Sequence, residues 1–522
     1  MRYHNSLKIR FWKKALYGKI NASDDNDEIK QIRFSMAEKK KVTRQDLIKI
    51  DENLFEIPQS FRADMRVPAR IYTSEDMLTD IVEDLSLTQL VNVATLPGIQ
   101  KAAYAMPDIH QGYGFPIGGV AATAINQGGV ISPGGIGYDI NCGVRLLAAN
   151  MTADEFHPYI EDVATALFHA VPSGVGRHGK VKLTIPELDK VLRDGAREMV
   201  KLGYGTQEDL EVCEENGCMA GADPDAISPE AKKRGHDQLG TLGSGNHFLE
   251  VQVVDEIYDK ETAHVLGLSL GQVTVMIHCG SRGLGHQTCT DYVRTMMKKL
   301  PEWGYQLPDR ELVCAPFTSK EGQEYFAAMS AAANFAWANR HLIGHWVREA
   351  WQSVMGPKET LRTVYDVSHN IGKRERQRID GKEVDVVMHR KGATRAFGPG
   401  RPEIPAQYRS IGQPVLIPGT MGTASYVLVG TEESMDLAFG SSCHGAGRRM
   451  SRIKAKHAVR GSQLRRDMES HGIVVRCDSD AGLAEEAPLA YKDVDSVVNV
   501  VDSAKLARKV VKVKPLAVIK GG

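Results

Sequence analysis

No two cysteines in this 522-residue chain stand in a C-x-x-C arrangement; the eight fall at 142, 213, 218, 279, 289, 314, 443 and 477. That scatter is unlike a disulfide framework or a zinc ribbon, so a reducing cytoplasm is the expected setting. Also missing is any run of about 18 apolar residues. The N-terminal region mixes lysine and arginine with the acidic DDNDE of 24–28 and lacks a signal-peptide apolar segment. Neither a membrane anchor nor export is expected.

Excess charge of either sign is absent, since Lys+Arg and Asp+Glu both number 65. A nucleic acid would therefore have to be held by a local basic patch. There is no G-x-x-x-x-G-K-[ST] loop, and GTLGSG at 240–245 misses the pattern G-x-G-x-x-G. Any nucleotide must then bind through another architecture. No internal repeat is found, and the 42% apolar and 25% charged fractions match an ordinary soluble globular protein.

Residues 1–42 read as a polar extension left out of the fold, possible disorder included, with MAEKKKVT at 36–43 a plausible second start. Residues 43–522 read as one catalytic domain. Up to about 150 the text is short β-type pieces broken by glycine, such as GVAATAI (119–125) and GVRLLAA (143–149). A helix-rich insertion or layer is expected over about 152–235, as in IPELDKVLRDGAREMVKLG (185–203), with a looser stretch at 214–231. HFLEVQVVDEI (247–257) and QVTVMIH (272–278) return to strand, a long helix spans about 323–355, and TVYDVSHN and KEVDVVMHR resume sheet. This irregular alternation predicts a single large α+β domain, not a doubly wound sheet.

Five glycine-rich turns each end on a ligand-type residue: GYDINCGVR (137–145), GSGNHFLE (243–250), MIHCGSRGLGH (276–286), DVSHNIGK (366–373) and FGSSCHGAGRR (439–449). In each, a strand-like or apolar segment runs into a loop at Asp139 and Cys142, His247, His278, His369 or His444. One histidine after a strand is commonly a hydrogen-bonded structural residue. Five such loops, with Asn246, Arg282 and Asn370 alongside, favour a site. Asp, Cys and His together could hold one or two metal ions, with the Cys142 thiolate between them. Cysteine and histidine point to zinc, while aspartate and phosphate chemistry point to manganese or magnesium, so the residues leave the metal open.

His444 differs from the rest. It lies in CHGAGRR, where small residues expose backbone N–H groups and two arginines follow, an anion-binding setting. A neutral imidazole there could accept a nucleotidyl group as a phosphoramidate; the plainer alternative is a helix-opening histidine. IPGTMGTASYV (417–427) offers more backbone donors or is a plain turn. The basic clusters KRERQR (373–378), HRKGATR (389–395) and RRMSRIKAKHAVR (448–460) suggest a local phosphate-binding track, or simply a solvated face.

Read together and in this order, the loops resemble the RtcB family of RNA ligases from about residue 45 to Gly522. The resemblance implies Mn(II), two ions, held by Asp139, Cys142, His247, His278 and His369, with Cys142 shared. It implies that His444 accepts GMP from GTP. The nucleotide would contact Asn246, His247, Phe248, Leu249, Glu250, His369, Asn370, Pro418, Gly419, Thr420, Met421, Ser425, Gly445, Ala446, Gly447, Tyr491 and Lys520. Glu250, Ser425, Tyr491 and Lys520 would surround guanine; Thr420 stands where the family leads one to expect serine. The implied substrates are RNA ends bearing a 3′-phosphate or 2′,3′-cyclic phosphate and a 5′-hydroxyl, with an archease-type activator as a further partner. Two competitors use the same residues: a binuclear metal phosphoesterase acting on RNA ends, and a non-catalytic RNA-end binding subunit.

Overall fold

A computed structural model describes residues 41–521; residues 1–40 of the expected N-terminal extension lie outside the described residues. Two large sheets carry the fold. One runs Ile48–Asp51, Leu54–Ile57, Ala69–Tyr72, Ala103–His110, Ile117–Ala124, Lys382–Lys391, Asn370–Ile379. The other runs Leu361–Ser368, Gly143–Thr152, Gln272–Cys279, Phe248–Ile257, Ala507–Lys520, Ser425–Gly430, Pro414–Ile417, with Val474–Cys477 also on Ala507–Lys520. Within these sheets only Ala69–Tyr72 with Ala103–His110, and Val474–Cys477 with Ala507–Lys520, pair in parallel. Such antiparallel pairing fits a mixed α/β domain and not a ladder of βαβ crossovers. Among the described residues no helix is long and apolar enough to cross a membrane.

Alternation along the second sheet explains which side chains reach the site. In Gly143–Thr152, Val144, Leu146 and Ala148 enter one core cluster while Leu147 and Ala149 enter another. The strand reads as almost continuously apolar because both faces are covered. His278 shares the parity of Met276, and Glu250 that of Phe248, so these polar groups emerge on one face. Arg145 has the opposite parity and points toward the helix Lys320–Met355.

That helix is 36 residues long and starts at Lys320, slightly before the expected 323, because the Ser319 hydroxyl accepts the Gly322 N–H as a cap. It is buried on every side from Ala328 to Gly344, as a helix through the middle of a core must be. Helices Ile160–Ala170, Ile185–Asp194 and Ala196–Lys201 pack against it. The last two were expected as one run. They break at Gly195, whose φ of +60° is left-handed and where a side chain would meet the Gly217 carbonyl oxygen at 2.3 Å.

Arg340 of the long helix and Arg145 share Asp366 at 2.8 Å each, all three fully buried. Arg340 also donates to the carbonyls of Asn141 at 2.7 Å and Cys279 at 2.9 Å. A buried pair is more tolerable the more of its remaining donors are satisfied. Arg145 Nη2 has no partner among the described residues, while the remaining donors of Arg340 are satisfied. Here those donors clamp the chain beside Cys142 and His278, fixing the sheet end at which the ligand residues gather.

Candidate active site

Four neighbouring strands end together. Ser368 pairs with Gly143, Gly143 with Cys279, Val144 with His278, and His278 with Phe248. Because the strands alternate in direction, two C-terminal and two N-terminal ends meet. Cys142, His247, His278 and His369 therefore arrive from four strands at one edge, and the turn before Cys142 brings Asp139, whose carbonyl accepts the Cys142 N–H at 3.0 Å.

Cys142 Sγ lies 3.3 Å from His247 Nε2 and 3.3 Å from His278 Nε2. His247 Nε2 is 2.8 Å from Asp139 Oδ2, and His278 Nε2 is 3.2 Å from His369 Nε2. The donor atoms form two groups, Cys142–His278–His369 and Asp139–Cys142–His247, each spanning no more than 4.8 Å and sharing the sulfur. Burial pushes the Cys142 thiol up to about 12 and holds His278 and His369 well below the usual imidazole range. Burial would raise the Asp139 carboxyl, but neighbouring His247 and hydrogen bonds from Cys142 and Ser281 outweigh it, leaving about 2. Two neutral imidazoles bring their Nε2 atoms within 3.2 Å of each other beside the sulfur, where each can present a lone pair, while their buried Nδ1 atoms have no partner among the described residues. A cation would satisfy these lone pairs, take the place of the proton between Asp139 and His247, and allow the thiolate to form.

His444 follows the strand Ser441–Cys443, which pairs with Ala393–Arg395. Its ring lies 4.8 Å from that of His369. Asp108, from the strand Ala103–His110, accepts both the His444 backbone N–H at 3.1 Å and its Nδ1 at 2.5 Å. Asp108 was not singled out from the sequence. With Nδ1–H directed at a carboxylate, the ring is fixed in the tautomer that leaves the Nε2 lone pair for chemistry. Gly447 closes the loop after His444 at φ +74°, where a side chain would run into the Asp108 carbonyl at 2.2 Å.

A cleft of about 1120 Å³ joins these groups. Asn246, Phe248, Glu250, Pro418, Gly419, Thr420, Met421, Gly445, Ala446, Gly447, Tyr491 and Lys520 line it together with Asp139, Cys142, His278, His369 and His444. Lys520 donates to the carbonyl of Gly245 at 2.8 Å, and burial lowers its ammonium below the ordinary lysine range. Burial likewise lifts the Glu250 carboxyl to about 7.

Several expected contact residues sit elsewhere. The Leu249 side chain lies in the core. Ser425 is buried at the start of the strand Ser425–Gly430, its hydroxyl accepting the Gly419 N–H at 3.1 Å. Asn370, by contrast, does line the cleft, held there as it donates to the Asp139 carbonyl at 3.1 Å and accepts the Gly392 N–H at 2.8 Å. Arg282 anchors on the Gly174 carbonyl at 2.8 Å.

The basic clusters do not form one track. Lys373 and Arg395 are buried on Glu214 and Glu215, and Arg390 on Glu375. Charges this deep need partners; Glu214 and Glu215 come from a distant part of the chain, while Glu375 reaches Arg390 across the pairing of Asn370–Ile379 with Lys382–Lys391. Only the third cluster meets the cleft broadly, through Arg448, Arg449, Arg452 and Lys454. There Glu486, also unforeseen, accepts from Arg448 and Arg452 at 2.8 Å each and from the Tyr491 hydroxyl. Arg448 stacks over the Tyr491 ring at 4.8 Å, so one buried carboxylate orders the cationic wall.

The family model described as tRNA-splicing ligase RtcB matches residues 89–521. The chain is 54% identical over 478 residues to the tRNA-splicing ligase RtcB of Archaeoglobus fulgidus, covering 91% of this chain and 99% of that protein. Identity to the protein of the same name from Thermococcus kodakarensis is 56% over 478 residues, with the same coverage of both chains. For that from Methanococcus maripaludis it is 51% over 476 residues, again covering 91% and 99%. With a shared length this nearly complete and a ligand cluster assembled from the loops that carried the resemblance, the chain belongs to the RtcB family.

Proposed function

We propose that the protein is a GTP- and Mn(II)-dependent RNA ligase that joins a 3′-phosphate or 2′,3′-cyclic phosphate end to a 5′-hydroxyl end, in tRNA splicing or RNA repair. The observation that carries this reading is His444, held by Asp108 at the rim of a two-part ligand cluster inside a cationic cleft. The cluster alone would equally serve a phosphoesterase. A histidine fixed as a nucleophile would not be needed there.

In this reading Asp139, Cys142 and His247 would hold one cation and Cys142, His278 and His369 the other. A bound pair would neutralise charge building on phosphate oxygens. His444 Nε2 attacks the α-phosphorus of GTP and pyrophosphate leaves, so the imidazole carries GMP while Asp108 stabilises the charged ring. The backbone of Gly445, Ala446 and Gly447 supports the phosphates. An oxygen of the RNA 3′-phosphate then takes GMP from His444, which regains its lone pair. The 5′-hydroxyl attacks the activated 3′-phosphorus, forms the phosphodiester and releases GMP. A cyclic phosphate is first opened by water. An archease-type activator and a cytoplasmic setting belong to the same reading.

Glu250 gives this scheme a pH signature. To accept the N1–H and amino group of guanine, its carboxyl must be ionised. With the group at about 7, the protonated form dominates at lower pH, and the KM for GTP is expected to rise about tenfold per unit below that point. Glu250→Gln should flatten that dependence. A KM profile for GTP from about pH 5.5 to 8 checks it.

The assay for the function as a whole mixes the protein, GTP and Mn(II) with one RNA ending in 3′-phosphate and another beginning with 5′-hydroxyl. A joined product that needs GTP is expected. Loss of the phosphate without joining would support the phosphoesterase instead.

A further inference from the structure

On the Asp139 side of the cleft three rings stand in sequence. Tyr113 meets Tyr138 edge to face at 5.7 Å and 85°. Tyr138 lies tilted against His286 at 4.9 Å and 30°. Tyr113 and Tyr138 line the same cleft as Cys142 and His444, and Tyr138 immediately precedes Asp139 in the chain. His286 is exposed on the first turns of the helix Arg282–Trp303.

Tyr113 is held in the open. Half of its surface is exposed, at 50%. Yet its carbonyl accepts the ammonium of the buried Lys391 at 2.8 Å, and the same ammonium donates to the Phe115 carbonyl at 3.0 Å. Burying a lysine is unfavourable unless it is satisfied, and here it stiffens the turn that presents an exposed aromatic ring. The exposed Arg234 donates to Gln287, next to His286, at 2.8 Å. Aromatic faces with flanking cations are the means by which proteins hold single-stranded nucleic acid, base on ring and phosphate on cation.

We propose that Tyr113, Tyr138 and His286 form a stacking platform for a nucleobase of the RNA strand entering the cleft, next to the end to be joined. This rests on the RNA-ligase reading above. The base could belong to the 3′-phosphate strand or to the 5′-hydroxyl strand, and the experiment separates them.

The full-length protein with Mn(II) is titrated into fluorescently labelled single-stranded RNAs, one ending in 3′-phosphate and one beginning with 5′-hydroxyl. Each is made intact and with an abasic residue at the terminal or penultimate nucleotide. The abasic change in one strand is expected to weaken binding by about 5- to 150-fold, since a stacked base contributes on the order of 1–3 kcal/mol. The affected strand identifies the source of the base. Tyr113→Ala should lose a similar factor on intact RNA and little more on the abasic strand, because both changes remove one contact. Tyr113→Phe should keep the affinity. Thermal melting confirms that each variant folds, and the abasic arms on the unaltered protein decide the matter if a variant does not. Tight binding that no abasic position changes by more than about twofold overturns the platform and leaves the ligase reading standing. Failure to bind either RNA overturns the reading and the platform with it.

Discussion

Asp108→Asn is expected to slow transfer of GMP onto His444 by about two to four orders of magnitude, with the fold and the ligand cluster intact. Asp108 accepts from His444 twice, through the backbone N–H and through Nδ1. If the amide nitrogen faced Nδ1, the ring proton would move to Nε2 and remove the attacking lone pair. If the amide oxygen faced it, the tautomer would survive, but the charge that steadies a cationic imidazole would be gone. Loss of a carboxylate that orients a working histidine has effects of this size in other enzymes. Single-turnover labelling with GTP measures the rate, and GTP binding should change little because Asp108 is fully buried behind the ring. A rate within about tenfold of the unaltered protein would show that Asp108 only supports the strand.

Cys142→Ala should remove detectable transfer altogether, a loss of at least about a thousandfold. Its sulfur belongs to both donor groups, so a single substitution leaves one side with two imidazoles and the other with Asp139 and His247. Metal content after dialysis should fall at both positions together. The same sulfur sets a pH dependence. Burial holds the thiol at about 12 in the absence of a cation, so binding must expel a proton, and Mn(II) affinity is expected to rise with pH. Unchanged metal content in Cys142→Ala, or labelling near the normal rate, would contradict a shared ligand.

That Asp139, Cys142, His247, His278 and His369 would stand out was legible in the sequence because each lies where a strand-like or apolar segment meets a glycine-rich turn, and the antiparallel pairing of four such strands brings them to one edge. The long helix was legible from its apolar run and differs only in its start, which Ser319 sets. Asp108 was not legible, because a buried aspartate in an apolar strand carries no local signal of its partner 336 residues away. Glu486 follows the helix Asp480–Glu485 next to another glutamate, and nothing local marks it as the one buried against Arg448 and Arg452. The basic clusters were misleading in the opposite sense. Their cations looked available because Glu214 and Glu215 reach Lys373 and Arg395 only in the folded chain. Gly195 marked a break that helical periodicity alone ran through.

The most direct measurement incubates the full-length protein with GTP labelled at the α-phosphate and Mn(II), denatures it, and tests the retained label for stability. The expected result is a protein-bound adduct that acid destroys and alkali spares, as a phosphoramidate on histidine requires, and that His444→Ala does not form. No retained label, or equal labelling of His444→Ala, would contradict the assignment of His444 as the carrier of GMP.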